Sequence, residues 1–186
     1  MQNAIKYNCK NWLIISSSSE YGLRIKKNFY KFSLSSQRIP DTDYGLSKAL
    51  FTDTCIKLAK KNNCKVRIMR LFPIYGDGEN KKRLYPSLLN SIKKNKKFFF
   101  LKNPNEIRDF TNINFTTKIL LNALDFNKKK FKTSQVWHVS ENKPKKIKDF
   151  VKEICSKNNS KIAIKINSKK DLMFNHISDK SSVWKI

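Results

Sequence analysis

Glycine, histidine, cysteine and acidic residues are all scarce in this 186-residue chain, and each shortage excludes something. The four glycines (Gly22, Gly45, Gly76, Gly78) are dispersed, so no glycine-rich turn offers a row of backbone amides to a phosphate. Two histidines, His138 and His176, are too few for a His-based metal centre. The four cysteines (Cys9, Cys55, Cys64, Cys155) form no Cys-x-x-Cys pair and read as reduced, mostly buried thiols. Long apolar runs are missing too: Trp12 to Ile15 and Phe98 to Leu101 are far too short to cross a bilayer. The polar stretch from Met1 to Lys10 has no signal-peptide core, which places the protein in the cytoplasm with no membrane partner.

What is present supports a folded chain. Hydrophobic residues make up 39% and aromatics 12%, enough for a real core. The formal net charge of +26 raises the prospect of a nucleic-acid partner. Only six of the 40 basic residues are arginine, however, and arginine is the residue suited to bidentate phosphate and base contacts. Lysine and the twenty asparagines are spread along the whole length, which reads as codon drift in an AT-rich genome. A nucleic-acid partner is therefore not expected.

Apolar spacing predicts alternating strands and helices. Leu13-Ile14-Ile15 has the character of a buried parallel strand ended by Ser16 to Ser19. Arg24 to Asp43, with Pro40 inside, reads as a loop. A helix is expected from Tyr44 to Lys61, with Leu46, Ala49, Leu50, Ile56 and Ala59 as its apolar stripe and Asn62-Asn63 as its end. Val66 to Phe72 reads as a strand closed by Pro73 and a turn at Tyr75 to Gly78. Further on, helices are expected at Tyr85 to Lys96, Thr116 to Phe126 and Lys146 to Lys157, and strands at Phe98 to Leu101, Val136 to Val139 and Ile162 to Ile166. The lysine runs at 93–97 and 128–130 read as solvated loops or helix ends, and the tail from Ser168 is ambiguous. The alternation predicts the α/β class with a mainly parallel sheet.

Tyr44 and Lys48 stand four apart at the start of the long helix, so both lie on one face. A tyrosine with an unperturbed pKa of about 10 is a weak base at neutral pH. A neighbouring ammonium and a helix N-terminus both favour its phenolate, making it a usable acid/base. Ser17, at the end of the preceding strand, is suited to polarise the oxygen that gains or loses the proton. Open α/β sheets bind ligands at such strand ends.

The ordered segments Ile14 to Gly22, Tyr44-Gly45-Leu46-Ser47-Lys48, Arg70 to Gly78, Arg108-Asp109-Phe110 and Val136 to Ser140 resemble the extended short-chain dehydrogenase/reductases. More narrowly, they are similar to the NAD-dependent epimerase/dehydratase family that modifies nucleotide sugars. The resemblance implies a partial Rossmann-like sheet lacking its first βαβαβ half, with a small C-terminal substrate subdomain. Residues 1–80 would form the later Rossmann half, and 81–186 a substrate-binding region with returning strand and helix elements. It further implies Tyr44 as acid/base, with Lys48 beside it and touching the nicotinamide ribose. Ser17 would assist them, and Phe72 would carry the backbone that approaches the nicotinamide. Arg83 and Leu84 would line the substrate, and Arg108 would contact the nucleotide diphosphate. NAD or NADP would be the cofactor, a nucleotide sugar the substrate, and a homodimer through the Tyr44 helix the assembly.

The pattern departs from the family in places. The family's GxxGxxG turn and ribose-reading residue have no counterpart, so an N-terminally truncated chain is expected. Pro73 replaces a frequent Asn, and Asn114-Phe115 replace the acidic residue after Arg-Asp-Phe. Ser18-Ser19 stand where dehydratases have Asp-Glu, which leaves 4-epimerisation or ketone reduction. An inactive partial enzyme, and a basic nucleic-acid-binding module resting on charge alone, are the other readings.

Overall fold

A computed structural model describes residues 1–22, 31–127, 134–167 and 175–185. The elements run α1 (Gln2–Lys6), β1 (Asn11–Ser17), a 3-10 turn (Ser18–Tyr21), β2 (Lys31–Phe32), α2 (Asp43–Lys61) and β3 (Lys65–Leu71). There follow β4 (Ile74–Tyr75), α3 (Leu84–Lys93), β5 (Phe98–Leu101), β6 (Ile107–Arg108), β7 (Thr111–Asn112) and α4 (Ile113–Ala123). The chain then forms β8 (Ser134–Val139), β9 (Lys145–Lys146), α5 (Ile147–Lys157), β10 (Ala163–Ile166), β11 (Asn175–Ser178) and a second 3-10 turn (Lys180–Ser182).

The main sheet is parallel in the order β1-β3-β8, with Ile14 beside Ile68 and Ile68 beside Val136. The central strand β3 is buried from Val66 through Arg70, as a strand covered on both faces must be. On one face, Val66 and Ile68 pack with Cys55 and Ala59 of α2. On the other, Met69 packs with Ile119 and Ala123 of α4, with Val139 and with Trp184. Arg67, on that same face, donates to the carbonyls of Ala123 at 2.6 Å and Asp125 at 2.7 Å. A cation is thereby placed at the carboxyl end of α4, where the helix dipole favours it. The result is a helix-sheet-helix sandwich, the α/β, Rossmann-like class expected. Among the described residues, no strand pairs with the outer edge of β1.

A second core gathers α3, α5 and β5. Leu88, Phe99, Leu101, Phe150 and Ile154 bury together, with Phe110 stacked on Phe150 at 3.9 Å between ring centres. Short strands pair apart from the main sheet: β11 with β2 and β6, and β4 with β7.

The differences from the sequence reading have local causes. The buried stripe of α2 is Gly45, Ala49, Thr52, Cys55 and Ala59. Leu46 and Leu50, expected inside, are 48% and 59% exposed, because the sheet covers the helix face that carries Ala49, Thr52 and Cys55. The predicted loop before α2 contains β2, while its first part, 24–30, lies outside the described residues, as does the lysine run at 128–130. α3 begins at Leu84 and stops at Lys93, and α4 begins at Ile113 and stops at Ala123. The polar N-terminal stretch contains α1, and the ambiguous tail supplies β11. With glycine scarce, asparagine takes the left-handed positions: Asn8, Asn63, Asn95, Asn103, Asn142 and Asn159 have φ between 48° and 61°. Asparagine accepts that conformation at lower cost than other non-glycine residues. Cys55, Cys64 and Cys155 are buried free thiols and Cys9 is exposed. No described helix is long and apolar enough to cross a membrane.

Candidate active site

The carboxyl ends of β1 and β3 open into a cleft of about 560 Å³, within the size range of small-molecule sites. Ser17, Tyr44, Phe72, Arg83 and Arg108 all line it. Leu84 lines an adjoining pocket that shares Arg83 and Arg108 with the main cleft. Lys48 stands one helical turn beyond Tyr44, outside the lining. Its ammonium donates to the Ile15 carbonyl at 3.2 Å and lies 5.8 Å from the centre of the Tyr44 ring.

Backbone geometry explains this grouping. Ser17 ends β1 and caps the 3-10 turn, its Oγ accepting from the Ser19 amide at 3.1 Å. Thr42 caps α2 by accepting from the Gly45 amide at 3.1 Å. A Cβ on Gly45 would fall 2.5 Å from the Ser19 carbonyl oxygen, so glycine here lets the first turn of α2 press against the serine turn. Tyr44, the preceding residue, is carried to the cleft by that contact and is 56% exposed. Gly22, at φ 70°, ends the serine turn so close to Ile39 that any Cβ would overlap its carbonyl.

Beneath this end lies a buried polar network that the sequence reading missed. Glu20 is fully buried. Its carboxylate pairs with Arg70 at 2.9 Å and Arg38 at 3.0 Å, and accepts from Thr52 at 2.7 Å and from Ser16. Arg70 also donates to the Tyr21 hydroxyl at 2.7 Å, which in turn lies 2.7 Å from His138 Nε2. His138 Nδ1 is 2.9 Å from the Ser178 hydroxyl, which itself donates to the Asp179 carbonyl. Burial, reinforced by Arg70, lowers the His138 pKa to about 3, so the ring is neutral. Burial likewise pushes the Tyr21 hydroxyl up. The network locks the serine turn to β3 and β8 and leaves the cleft face free for a ligand.

The opposite end is arginine-rich and looser. Arg108 pairs with Glu106 at 2.6 Å and Arg83 with Glu79 at 2.8 Å, with arginine side chains 35% and 60% exposed. Burial raises the Glu79 carboxyl pKa against the pull of Arg83. Ser17 and Tyr44 thus face one end of the cleft, and two guanidinium groups suited to an anion face the other. Among the described residues, no group of three or more His, Cys, Asp or Glu is placed to hold a metal ion.

A parallel sheet covered by helices on both faces, with a cleft at its strand ends, defines the Rossmann-like α/β class. A profile of the NAD dependent epimerase/dehydratase family matches residues 1–136, and the chain belongs to that family. No curated protein matches it by sequence. Among solved structures, RMD from Pseudomonas aeruginosa, complexed with NADPH, superposes with a TM-score of 0.81 at 16% identity, covering 97% of this chain and 61% of that one. UDP-N-acetylglucosamine 4-epimerase from Methanobrevibacter ruminantium, in complex with UDP-N-acetylmuramic acid, gives 0.79 at 18% identity, covering 95% and 56%. dTDP-glucose 4,6-dehydratase from Bacillus anthracis, in complex with NAD, gives 0.79 at 18% identity, covering 97% and 56%. The chain spans little more than half the length of these neighbours.

Proposed function

We propose that the cleft is the nucleotide-sugar site of an NAD(P)-dependent 4-epimerase or ketoreductase. The observation that carries the reading is that Ser17, Tyr44, Phe72, Arg83 and Arg108 line one cleft with Lys48 a helical turn from Tyr44. The Tyr44 hydroxyl gives or takes the proton of a sugar hydroxyl. The Lys48 ammonium stabilises charge developing on the tyrosine oxygen, and Ser17 hydrogen-bonds the sugar oxygen. Arg83, Leu84 and Arg108 hold the substrate, with the arginines toward its diphosphate. Tyr44, Lys48 and the Phe72 backbone would hold the nicotinamide end of NAD or NADP, which would supply or accept the hydride. Gly22 and Gly45 serve close packing, and among the described residues no glycine-rich turn could take the cofactor's diphosphate. The exposed Leu46, Leu50 and Phe51 on α2 support a homodimer through that helix, and a cytoplasmic enzyme belongs to the same reading. The division into residues 1–80 and 81–186 belongs to the same reading.

The test is conversion of UDP-glucose by the chain supplied with NAD or NADP. Tyr44→Phe is expected to lower turnover by about 10²- to 10⁴-fold while leaving UDP-glucose affinity unchanged. Undiminished turnover in Tyr44→Phe defeats the mechanism. A second reading, the same fold without turnover of its own, draws support from the missing diphosphate turn. Equilibrium dialysis separates the two, because micromolar binding of NAD or NADP by this chain removes the second.

A further inference from the structure

Away from the cleft, β5 and β10 pair in parallel, with Ala163 beside Phe98 and Lys165 beside Phe100. Alternation along β5 sends Phe99 and Leu101 into the second core. It leaves Phe98 and Phe100 together on the opposite face, 41% and 60% exposed. None of these residues lines the cleft.

The charge around the two rings is of one sign. Residues 93–102 and 158–167, which supply the two strands and their approaches, hold seven lysines and no acidic residue. All seven are exposed, and none enters an ion pair among the described residues. The Lys165 ammonium lies 3.6 Å from the centre of the Phe98 ring. Beside the strands, Lys96, Lys97 and Lys161 line a cleft of about 330 Å³. The even spread of lysine along the sequence hides this concentration, because strand pairing brings together two segments far apart in the chain.

We propose that this face binds a single-stranded nucleic acid, with bases stacked on Phe98 and Phe100 and the lysines facing its phosphates. Alternate residues of a strand stand about 6.7 Å apart, so the rings form two separate platforms for neighbouring bases of an extended strand. Stacking uses the ring face that every base has, and the cations follow the backbone, so no particular sequence is required. A duplex keeps its bases stacked on one another and offers the face only phosphates. A second copy of the chain carries the same +26 and is repelled. In a bilayer the acyl chains lie beneath the phosphates, so an inserting face carries its rings deeper than its ammonium groups. Here ring and ammonium lie against each other, as base and phosphate are joined within one nucleotide.

The test titrates the full chain against a short labelled oligothymidylate, single-stranded or paired with its complement, by fluorescence anisotropy across a salt series. A chain this basic attracts any polyanion, so the rings carry the proof. Phe98→Leu and Phe100→Leu keep apolar bulk but remove stacking. Each is expected to weaken single-strand binding by about 5-fold or more, leaving its salt slope and the duplex affinity unchanged. Phe100→Trp keeps a platform and is expected to retain the affinity. Lys97→Gln is expected to reduce the slope of log affinity on log salt by about 0.7. On the native chain, ultraviolet crosslinking to oligothymidylate is expected to label the tryptic peptide Phe98–Lys102, which decides the matter if the variants fail to fold. Crosslinks confined to other peptides, undiminished binding by both leucine variants, or equal losses for single strand and duplex overturn the proposal. Phosphatidylserine vesicles that bind the native chain and are not displaced by oligothymidylate assign the face to a membrane and overturn it as well.

Discussion

The two ends of the cleft are built differently. The serine-tyrosine end rests on a fully buried carboxylate shared by Arg38, Arg70, Thr52 and Ser16, and continues through Tyr21 to His138. The arginine end rests on two ion pairs whose guanidinium groups reach solvent. Buried charges need partners to offset their lost hydration, and removing one is costly, so these pairs favour one geometry. Here the carboxylates of Glu106 and Glu79 are largely buried but the guanidinium groups reach solvent, so the arginines are held less firmly. One end is thus rigidly held, as the proton transfer proposed for Tyr44 would require, and the other is adjustable, as the proposed anion contact would allow.

The contrast can be broken most directly at Glu20. Glu20→Ala leaves Arg70 buried without a counter-charge and is expected to destabilise the fold by about 3–5 kcal/mol in urea titrations. A loss below about 1 kcal/mol would mean that the network is not the anchor described. Acid sharpens the same point. His138 and His176 are held to about 3 and about 4 in the folded chain, whereas the unfolded imidazoles titrate near 6.5. The unfolded chain therefore binds more protons between these values. Stability is complete above about pH 6.5 and falls as pH drops, by about 2.5 kcal/mol per unit near pH 5 from the two histidines together. Asp109, its carboxyl pushed up by burial, opposes this at the acid end. His138→Gln should remove roughly half of that slope, and an unchanged slope would place the acid sensitivity elsewhere. The smallest effect belongs to the arginine end. Arg83→Ala should change stability by no more than about 0.5 kcal/mol, yet weaken UDP binding. A destabilisation matching that of Glu20→Ala would erase the distinction between the ends.

The sequence made the elements legible where local chemistry decides them. The apolar runs at Leu13 to Ile15 and Val66 to Phe72, and the capped helix opening at Tyr44, needed no knowledge of distant contacts. The Tyr44-Lys48 spacing belongs to the helix itself, and Gly45 between them answers to one close backbone approach. The buried network was not legible, because Glu20, Arg38, Thr52, Arg70 and His138 become neighbours only through strand order. Periodicity found an apolar stripe on α2 but not which face the sheet would take, and the sheet selected Ala49, Thr52 and Cys55 over Leu46 and Leu50. His176 sat in a tail with no periodic signal, and its one cue was being a histidine in a chain with only two.

The outer edge of β1, unpaired among the described residues, has a geometric consequence. It is a seven-residue ruler, Asn11–Ser17, without a charged side chain or a proline to blunt it. A strand that aligned with it in parallel would finish level with Ser17, and whatever loop followed that strand would be delivered to the rim of the cleft. The edge therefore acts as an address, fixing where the carboxyl end of an added strand must arrive.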